Sequence, residues 1–367
     1  MATIKSVQSG IVTIADNSAS GTYATLTPVA TDKAFLMFSV RHNDASIQDC
    51  RDSKVRGILT NSTTVTFDRA GAASGQGICV VSWFVIEYTS GVTVQRGTVD
   101  GINATTHNVT LEKAVTLSQS WPIVSEQGQT TYSYGWADTV QAEITDTTNL
   151  ALTVSGDASS HEFAWQVIDY TGASVQKSTK DLANTDNVQT STITSVTMAQ
   201  TFLQGSYYQG TVDEIYSGQW WSAYLSADDT ITYTCYENQG KDNHAIVYVI
   251  SSPEFGVTRY QTSLTSSQTS NTQTVNPAIS DTNKAFLKIG SLHHNSWMRT
   301  TENPWDDVYR KVQINGVITD TSTVTFERGE SGHAGDVYSE LIQIAAGVSG
   351  IAAKMYYYRK MKNKSII

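Results

Sequence analysis

The chain is poor in charged residues, proline and cysteine. Only 16% of its 367 residues are charged and only five are proline, whereas a soluble domain usually carries about 25% charged residues. Serine and threonine fill the polar positions instead. This composition favours polar-faced β-structure over helical bundles, whose exposed faces use Glu and Lys. A hydrophobic fraction of 40% excludes an intrinsically disordered chain.

Cysteine spacing and apolar runs exclude further classes of protein. Cys50, Cys79 and Cys235 are far apart and form no CxxC pair, which argues against a disulfide framework and against a zinc site. We therefore expect no metal and no other cofactor. No run reaches 18 apolar residues, so no membrane span is predicted. The N-terminal sequence MATIKSVQSG lacks the apolar core of a signal peptide, which predicts synthesis in the cytoplasm.

The sequence also lacks the motifs of common enzymes. It contains no GxSxG, HExxH, phosphate-binding loop or helix-opening GxGxxG. The acid pair Asp228–Asp229 lies in a predicted strand connection, where a turn explains it. We therefore do not expect an enzyme.

Charge is distributed unevenly along the chain. The net charge is −10, yet residues 346–367 contain five basic residues and no acid, so the rest of the chain is more acidic still. An acidic body argues against nucleic-acid binding by that part. The basic, aromatic tail is expected to dock on a partner through Lys354, Tyr356, Tyr357, Tyr358, Arg359, Lys360 and Lys362. A solvated tail that only improves solubility is the alternative.

A strand pattern that recurs four times is the most informative feature of the chain. One copy begins at VQSGIVTI (7–14), the next at VQRGTVDG (94–101) and the third at VQKSTKDL (175–182). Aligning Val7, Val94, Val175 and Arg259 gives steps of 87, 81 and 84 residues. The period indicates four tandem modules in place of one large domain.

Each copy can be read as six strands. The opening strand is followed by a Thr-rich strand and then by an apolar strand centred on one large ring, which is Phe35, Trp121, Phe202 or Phe286. The fourth and fifth strands form a predicted hairpin. In it an apolar residue (Leu59, Ile144, Leu225 or Ile318) lies six positions before another (Val65, Leu150, Ile231 or Val324). The sixth strand alternates, with Trp83, Val85 and Glu87 on one face and Phe84, Ile86 and Tyr88 on the other.

These strands predict an all-β fold of four tandem, six-stranded antiparallel β-sandwich repeats of about 80–90 residues. The expected repeats are residues 1–92, 93–173, 174–256 and 257–345, followed by a basic aromatic arm over 346–367. Trp83 and Trp165 occupy equivalent positions, as do Tyr88 and Tyr170. Core packing explains these recurring rings better than an exposed stacking surface does.

The strand order resembles two known kinds of module. The VQSG-type opening strand and the closing W-x-V/I strand resemble the six-stranded H-type lectin module. A VQRG restart after a W-x-V-I-E-Y strand (83–88) resembles the tandem β-modules of tailed-bacteriophage structural proteins. The resemblance covers most of residues 4–345 and implies a virion protein that is made in the host cytoplasm and forms a homo-oligomer with other virion proteins as partners. H-type lectins bind N-acetylgalactosamine-type sugars, but none of their sugar-contacting residues can be matched here.

Two functions remain open at this point. The first is a non-enzymatic structural protein of a phage particle, such as a capsid decoration, head fibre, tail or fibre component, that assembles through its modules and docks by its termini. The alternative is a lectin-like protein that recognises a host surface glycan. The expected receptor residues are Arg41, His42 and Asn43 in the loop after the third strand, His293 and His294 in its fourth-copy equivalent, and Trp297, Trp305 and Asp306 in the insertion 296–310. A solvated turn is the simpler interpretation of the histidine pair.

Overall fold

The computed structural model of the protein describes residues 2–344 except 44–52, 72–76, 103–104, 129–138, 157, 183–185, 211–219, 236–242, 291, 293–298 and 301–308. β-Strands are the dominant secondary structure of the described residues and helical turns are few, which confirms the predicted all-β class. The strands are β1 (Thr3–Ile14), β2 (Ser20–Tyr23), β3 (Ala34–Asn43), β4 (Arg56–Asn61), β5 (Thr64–Asp68), β6 (Ile78–Ser90), β7 (Val92–Ile102), β8 (Thr106–Thr110), β9 (Ser120–Gln127), β10 (Gln141–Asp146), β11 (Asn149–Thr153), β12 (Ala158–Tyr170), β13 (Ser174–Leu182), β14 (Val188–Thr192), β15 (Thr201–Gln209), β16 (Ser222–Ala227), β17 (Thr230–Thr234), β18 (Asn243–Ser251), β19 (Phe255–Leu264), β20 (Ser270–Thr274), β21 (Ala285–Ile289), β22 (Arg299–Thr300), β23 (Asn315–Asp320), β24 (Thr323–Glu327) and β25 (Gly335–Ile344).

Short helical turns complete the described part of the chain. A 3₁₀ turn precedes the third strand of each repeat, at Thr31–Lys33, Leu117–Gln119, Met198–Gln200 and Thr282–Lys284. One α-helix, α1 (Tyr309–Val312), precedes β23.

Each repeat forms two antiparallel sheets with the same strand order. The inner sheets, as we name them, are β1-β6-β3, β7-β12-β9, β13-β18-β15 and β19-β25-β21, and β22 also pairs with β25. The outer sheets are β2-β5-β4, β8-β11-β10, β14-β17-β16 and β20-β24-β23. Apolar residues from the inner and outer sheets of one repeat pack in a common cluster, as in a β-sandwich.

The predicted hairpin spacing is confirmed in every repeat. Leu59 pairs with Val65, Ile144 with Leu150, Leu225 with Ile231 and Ile318 with Val324. The turn between these strands also holds the segment after the second strand, because its two carbonyls accept backbone N–H groups from that segment. In repeat one, for example, Leu26 donates to Thr63 and Val29 donates to Ser62.

The strand register corrects the alignment of the fourth repeat. Val7, Val94 and Val175 pair with Ile86, Ile168 and Ile250, and the residue that pairs with the equivalent Ile342 is Val257. The alignment on Arg259 was therefore wrong by two residues. A shift of two preserves the face of every strand residue, so alternation alone does not reveal it. In the corrected alignment Arg259 is equivalent to Arg96.

Both faces of the inner sheets are buried. Trp83 and Val85 face the core between the two sheets of repeat one, whereas Phe84, Ile86 and Tyr88 belong to a larger core that contains residues of all four repeats. The predicted alternation is confirmed, and both of its faces are covered by protein.

A closed cycle of aromatic rings lies in this shared core. The rings of Phe35, Trp121, Phe202 and Phe286 contact one another edge to face, with successive centroids 6.4, 6.0, 6.2 and 6.2 Å apart and interplanar angles of 85°, 88°, 89° and 89°. Edge-to-face contact is a preferred geometry for aromatic pairs. The four repeats therefore close into one ring about a pseudo-four-fold axis.

Candidate functional site: the seams between repeats

Consecutive repeats meet at four contacts, which we name seams 1–2, 2–3, 3–4 and 4–1. The opening strand of each repeat packs against the 3₁₀ turn of the preceding one, and β1 packs in the same way against the turn Thr282–Lys284 of repeat four. The last strand of each outer sheet also reaches the next repeat, as β4 does against β9 and β12. Equivalent positions can therefore be compared directly from seam to seam.

Three of the predicted receptor residues lie at a seam. Arg41, His42 and Asn43 are the last three residues of β3, where Asn43 pairs with Ile78, so their placement in a loop was wrong. The strand continues because β6 offers it a partner along its full length. Arg41 Nε lies 3.5 Å from the Glu327 carboxylate of repeat four, and His42 is buried. These residues therefore contribute to seam 4–1.

The other predicted site residues lie outside the described residues. They are His293, His294, Trp297, Trp305 and Asp306, together with Lys354, Tyr356, Tyr357, Tyr358, Arg359, Lys360 and Lys362 of the arm. Their roles stay predictions.

A buried serine hydroxyl recurs at three seams. Ser125 accepts the backbone N–H of Gly57 (3.2 Å) at seam 1–2, Ser206 accepts that of Ala142 (2.8 Å) at seam 2–3, and Ser39 accepts that of Gly316 (3.0 Å) at seam 4–1. The last strand of an outer sheet leaves this N–H without a ladder partner. The serine of the next repeat satisfies it, which is the usual requirement for a buried donor.

A second recurring position lies on the sixth strand and faces the preceding repeat. Gln166 exchanges two hydrogen bonds with the backbone of Leu36, at 2.9 and 3.0 Å. Glu340, at the equivalent position, accepts the N–H of Leu203 at 3.0 Å. The hydroxyl of Tyr248 accepts the N–H of Ile144 at 2.9 Å. At three of the four seams, therefore, a different side chain at this position accepts a backbone N–H of the preceding repeat, whereas seam 4–1 has Phe84 there.

Arginines hold the 3₁₀ turns at two seams. Arg96 donates to the carbonyls of Thr31 and Ala34. Arg259 donates to the equivalent carbonyls of Met198 (2.8 Å) and Thr201, and its Nε lies 3.2 Å from Glu340. Burial lowers the pKa of Arg96 to about 10 although Asp32 acts to raise it.

Seam 3–4 lacks the serine. Gly290 stands at the position of Ser39, Ser125 and Ser206, and its φ of +60° is the left-handed conformation that favours glycine. β21 ends just before it after five residues, whereas β3, β9 and β15 run for ten, eight and nine. The strand that would carry the serine hydroxyl therefore leaves the sheet at this point.

A cavity of about 240 Å³ opens where the strand ends. Its lining includes Tyr224 of repeat three with Arg259, Tyr260, Tyr338, Ser339 and Glu340 of repeat four. The rings of Tyr224 and Tyr338 stack across the seam with centroids 4.5 Å apart and an interplanar angle of 4°. The Tyr260 hydroxyl and Ser339 Oγ are buried and have no hydrogen-bond partner in the part of the chain that the structure describes.

A buried lysine lies next to the cavity. Lys288 pairs across the sheet with Glu340, and its Nζ donates to the carbonyl of Gly290. Burial lowers the pKa of Lys288 to about 8, although Glu340 acts to raise it. Lys288, Glu340 and Arg259 together form a compact group of charges with little access to solvent.

Metal-binding geometry is not found among the described residues, which contain no cluster of three or more His, Cys, Asp or Glu side chains suited to an ion. Within the same ranges, no helix has the length and apolar composition needed to cross a bilayer. Arg41, Arg96, Arg259 and Glu340 make contacts that join repeats, whereas Lys288 contacts residues of its own repeat.

Sequence reasoning did not find the residues of this cavity. The signal was present in the repeat, because Ser339 stands where repeats one and two have Trp83 and Trp165, and Tyr260 stands where they have Gly10 and Gly97. The two-residue error in the alignment of the opening strand concealed the exchange at Tyr260.

No protein-family model matches the chain, and no curated protein matches its sequence. Functional inference therefore depends on the fold, the seams and the sequence pattern.

Proposed function

We propose that this protein is a non-enzymatic structural component of a tailed-bacteriophage particle and acts there as a rigid ring of four repeats. The observation that carries the proposal is the closed cycle of Phe35, Trp121, Phe202 and Phe286 in a core shared by all repeats. The recurring positions of the sequence serve packing and seam contacts. Such a closed, shared core is suited to a rigid structural component.

The closed ring also supports a role in a symmetric assembly. Cyclic homo-oligomers close by repeating one interface between identical subunits. Here a single chain repeats equivalent contacts around its own axis and so provides a compact, rigid unit. The resemblance of the repeat to tandem modules of phage structural proteins supports the particle context.

We assign the attachment of this protein to the particle to its C-terminal arm, residues 346–367. The arm is basic and aromatic whereas the remaining chain is acidic, so it would bind an acidic surface on a neighbouring subunit or another virion protein. Contacts between exposed charges weaken as salt screens them. Docking through the arm should therefore be salt-sensitive.

The test is incorporation into particles. Mass spectrometry of purified particles from the phage that carries the gene should detect the full chain, and its absence from them would overturn the proposal. A chain truncated after residue 349 should keep the ring fold but fail to incorporate. A full-length variant with Lys354, Arg359, Lys360 and Lys362 changed to Gln separates charge from length. Normal incorporation of the truncated chain would refute the docking role.

A further inference from the structure

We propose that Lys54 and Glu126 condense into an intramolecular amide bond, an isopeptide cross-link that ties repeat one to repeat two at seam 1–2. Lys54 lies two residues before β4 of repeat one, and Glu126 lies in β9 of repeat two. The cross-link goes beyond the structural role proposed above and does not depend on it. Three observations carry it: the burial of the pair, its replacement by neutral residues in other repeats, and a histidine beside the carboxyl group.

The two reacting groups are in contact and shielded from solvent. Lys54 Nζ donates to Glu126 Oε1, and both side chains are 0% exposed. Removing two charges from water often costs more than their mutual attraction returns. Transfer of a proton from the ammonium to the carboxylate lowers this cost, because both groups then become neutral. The result is an amine in contact with a carboxylic acid, and a neutral amine is a nucleophile.

The pair takes the place of neutral residues of the other repeats. At the position of Lys54, two residues before the last strand of the outer sheet, these repeats have Thr139, Trp220 and Gln313. Glu126 directly follows the seam serine, and the residues that follow it in repeats one and three are Val40 and Tyr207, which pack in apolar cores. The common packing of the repeats therefore does not require charges at these two positions.

His161 stands beside the second oxygen of the same carboxyl group. Its Nδ1 lies 3.9 Å from Glu126 Oε2, and its side chain is also 0% exposed. A histidine in this place can carry a proton to the oxygen that leaves. Because the contact is already made in the folded chain, the reaction needs no collision between molecules. The exclusion of solvent also protects the product from hydrolysis.

The reaction is a condensation that needs no further reactant. The Lys54 nitrogen attacks Cδ of Glu126, so that an N–Cδ bond forms and the Cδ–Oε2 bond breaks. Of the three protons on the starting ammonium, one passes to the carboxylate, a second is carried to Oε2 by His161, and the third stays on the amide nitrogen. Oε2 leaves as water. Neither oxidation nor reduction takes place.

The test is the mass of the intact, denatured full chain. Mass spectrometry should give a mass that is lower than that of the sequence by one water molecule, and proteolytic mapping should recover the peptides of Lys54 and Glu126 joined. Lys54→Arg keeps the positive charge, but its guanidinium stays protonated and is not a nucleophile, so the full mass should return. The melting temperature should fall by on the order of 5 °C in this variant, because the bond closes a loop between residues 72 positions apart.

A matched control lies in the same chain. Lys177 Nζ is 2.6 Å from Glu143 at seam 2–3, but both side chains are partly exposed, so these two residues should be recovered in separate peptides. His161→Asn should lower the cross-linked fraction, and an unchanged fraction would overturn the role of the histidine. A wild-type chain with the full sequence mass, or a loss of water that persists in Lys54→Arg, would overturn the cross-link itself. Particle incorporation is a separate readout, so the cross-link and the structural role can fail independently.

Discussion

Seams 1–2 and 3–4 join equivalent strands with different chemistry. Seam 1–2 contains the buried pair Lys54–Glu126, the pair Arg56–Glu162 at 2.7 Å and the Ser125 hydrogen bond. At seam 3–4 the serine is absent, a cavity takes its place, and Arg259 is held by Glu340. The same backbone geometry thus supports a filled contact at one seam and an open one at the other. Pseudo-symmetric repeats can keep a common core while one interface diverges.

We expect the shared core to contribute most of the stability at both seams, so a substitution in this core should have the largest effect on the free energy of unfolding. Trp121→Ala removes one member of the aromatic cycle and should lower the free energy of unfolding by about 3–5 kcal/mol. Because the four repeats share this core, chemical denaturation should show one cooperative transition in the wild type. The exposed Ile11, changed to Ala, is the control and should alter stability by less than about 0.5 kcal/mol. Separate transitions for individual repeats would contradict the shared core.

Arg96 and Arg259 occupy equivalent positions at seams 1–2 and 3–4, so substituting each of them compares the two seams directly. Arg259→Met leaves the buried Glu340 without its arginine partner and should cost about 3 kcal/mol of unfolding free energy. Arg96→Met loses hydrogen bonds to the carbonyls of Thr31 and Ala34 only, and should cost about 1–2 kcal/mol. Urea denaturation measures both.

Glu340→Gln is the control for the arginine comparison, since Gln166 stands at the equivalent position of seam 1–2. Added to Arg259→Met, it should recover part of the lost stability because no carboxylate is then left unpaired. If the double variant is no more stable than Arg259→Met alone, the arginine does not act through Glu340.

Lys288 should make the stability of the protein depend on pH. Its folded pKa of about 8 lies below the ordinary lysine value of 10.5, so between these values the unfolded chain binds more protons and stability should rise with pH. Lys288→Met places the residue that repeat one has at this position, Met37, and should raise the unfolding free energy at pH 7 by about 1–2 kcal/mol.

Thermal unfolding between pH 7 and 10 measures the effect as the difference between the wild type and Lys288→Met, because the buried tyrosines, whose pKa falls back to 10.0 on unfolding, ionise near the upper end of this range in both proteins. The wild type should gain stability across this range relative to Lys288→Met. Met37→Leu in repeat one is the matched control and should leave the pH profile unchanged. Parallel profiles for the wild type and Lys288→Met would show that the lysine does not titrate in this window.

Much of one repeat was predictable, because strand alternation and turn chemistry are local. The hairpin partners Leu59 and Val65 follow from spacing alone. Ring closure was not predictable, since an apolar second face, such as that of Phe84 and Ile86, does not tell which surface covers it. The cavity forms where Gly290 replaces the serine of the other three seams. This replacement could not be recognised from the sequence, because the role of that serine is seen only in the structure.

The smallest effect concerns the outer hairpins, where the third repeat departs from the other three. Asn61 Oδ1 accepts the N–H of Thr63 (2.9 Å), and Asp146 and Asp320 make the equivalent contact. The backbone and side-chain hydrogen bonds from Ser322 lower the pKa of Asp320, as expected of an accepting carboxylate. Repeat three has Ala227 at this position, directly after the same irregularity in strand register.

Removing this contact from repeat one should therefore lower the free energy of unfolding, and introducing it into repeat three should raise that free energy. Asn61→Ala should cost about 1 kcal/mol of unfolding free energy, and Ala227→Asn should add about 0.5 kcal/mol, because the new side chain would accept the N–H two residues on. Differential scanning calorimetry resolves the pair, and a destabilised Ala227→Asn would mean that the turn of repeat three does not offer its N–H to that side chain.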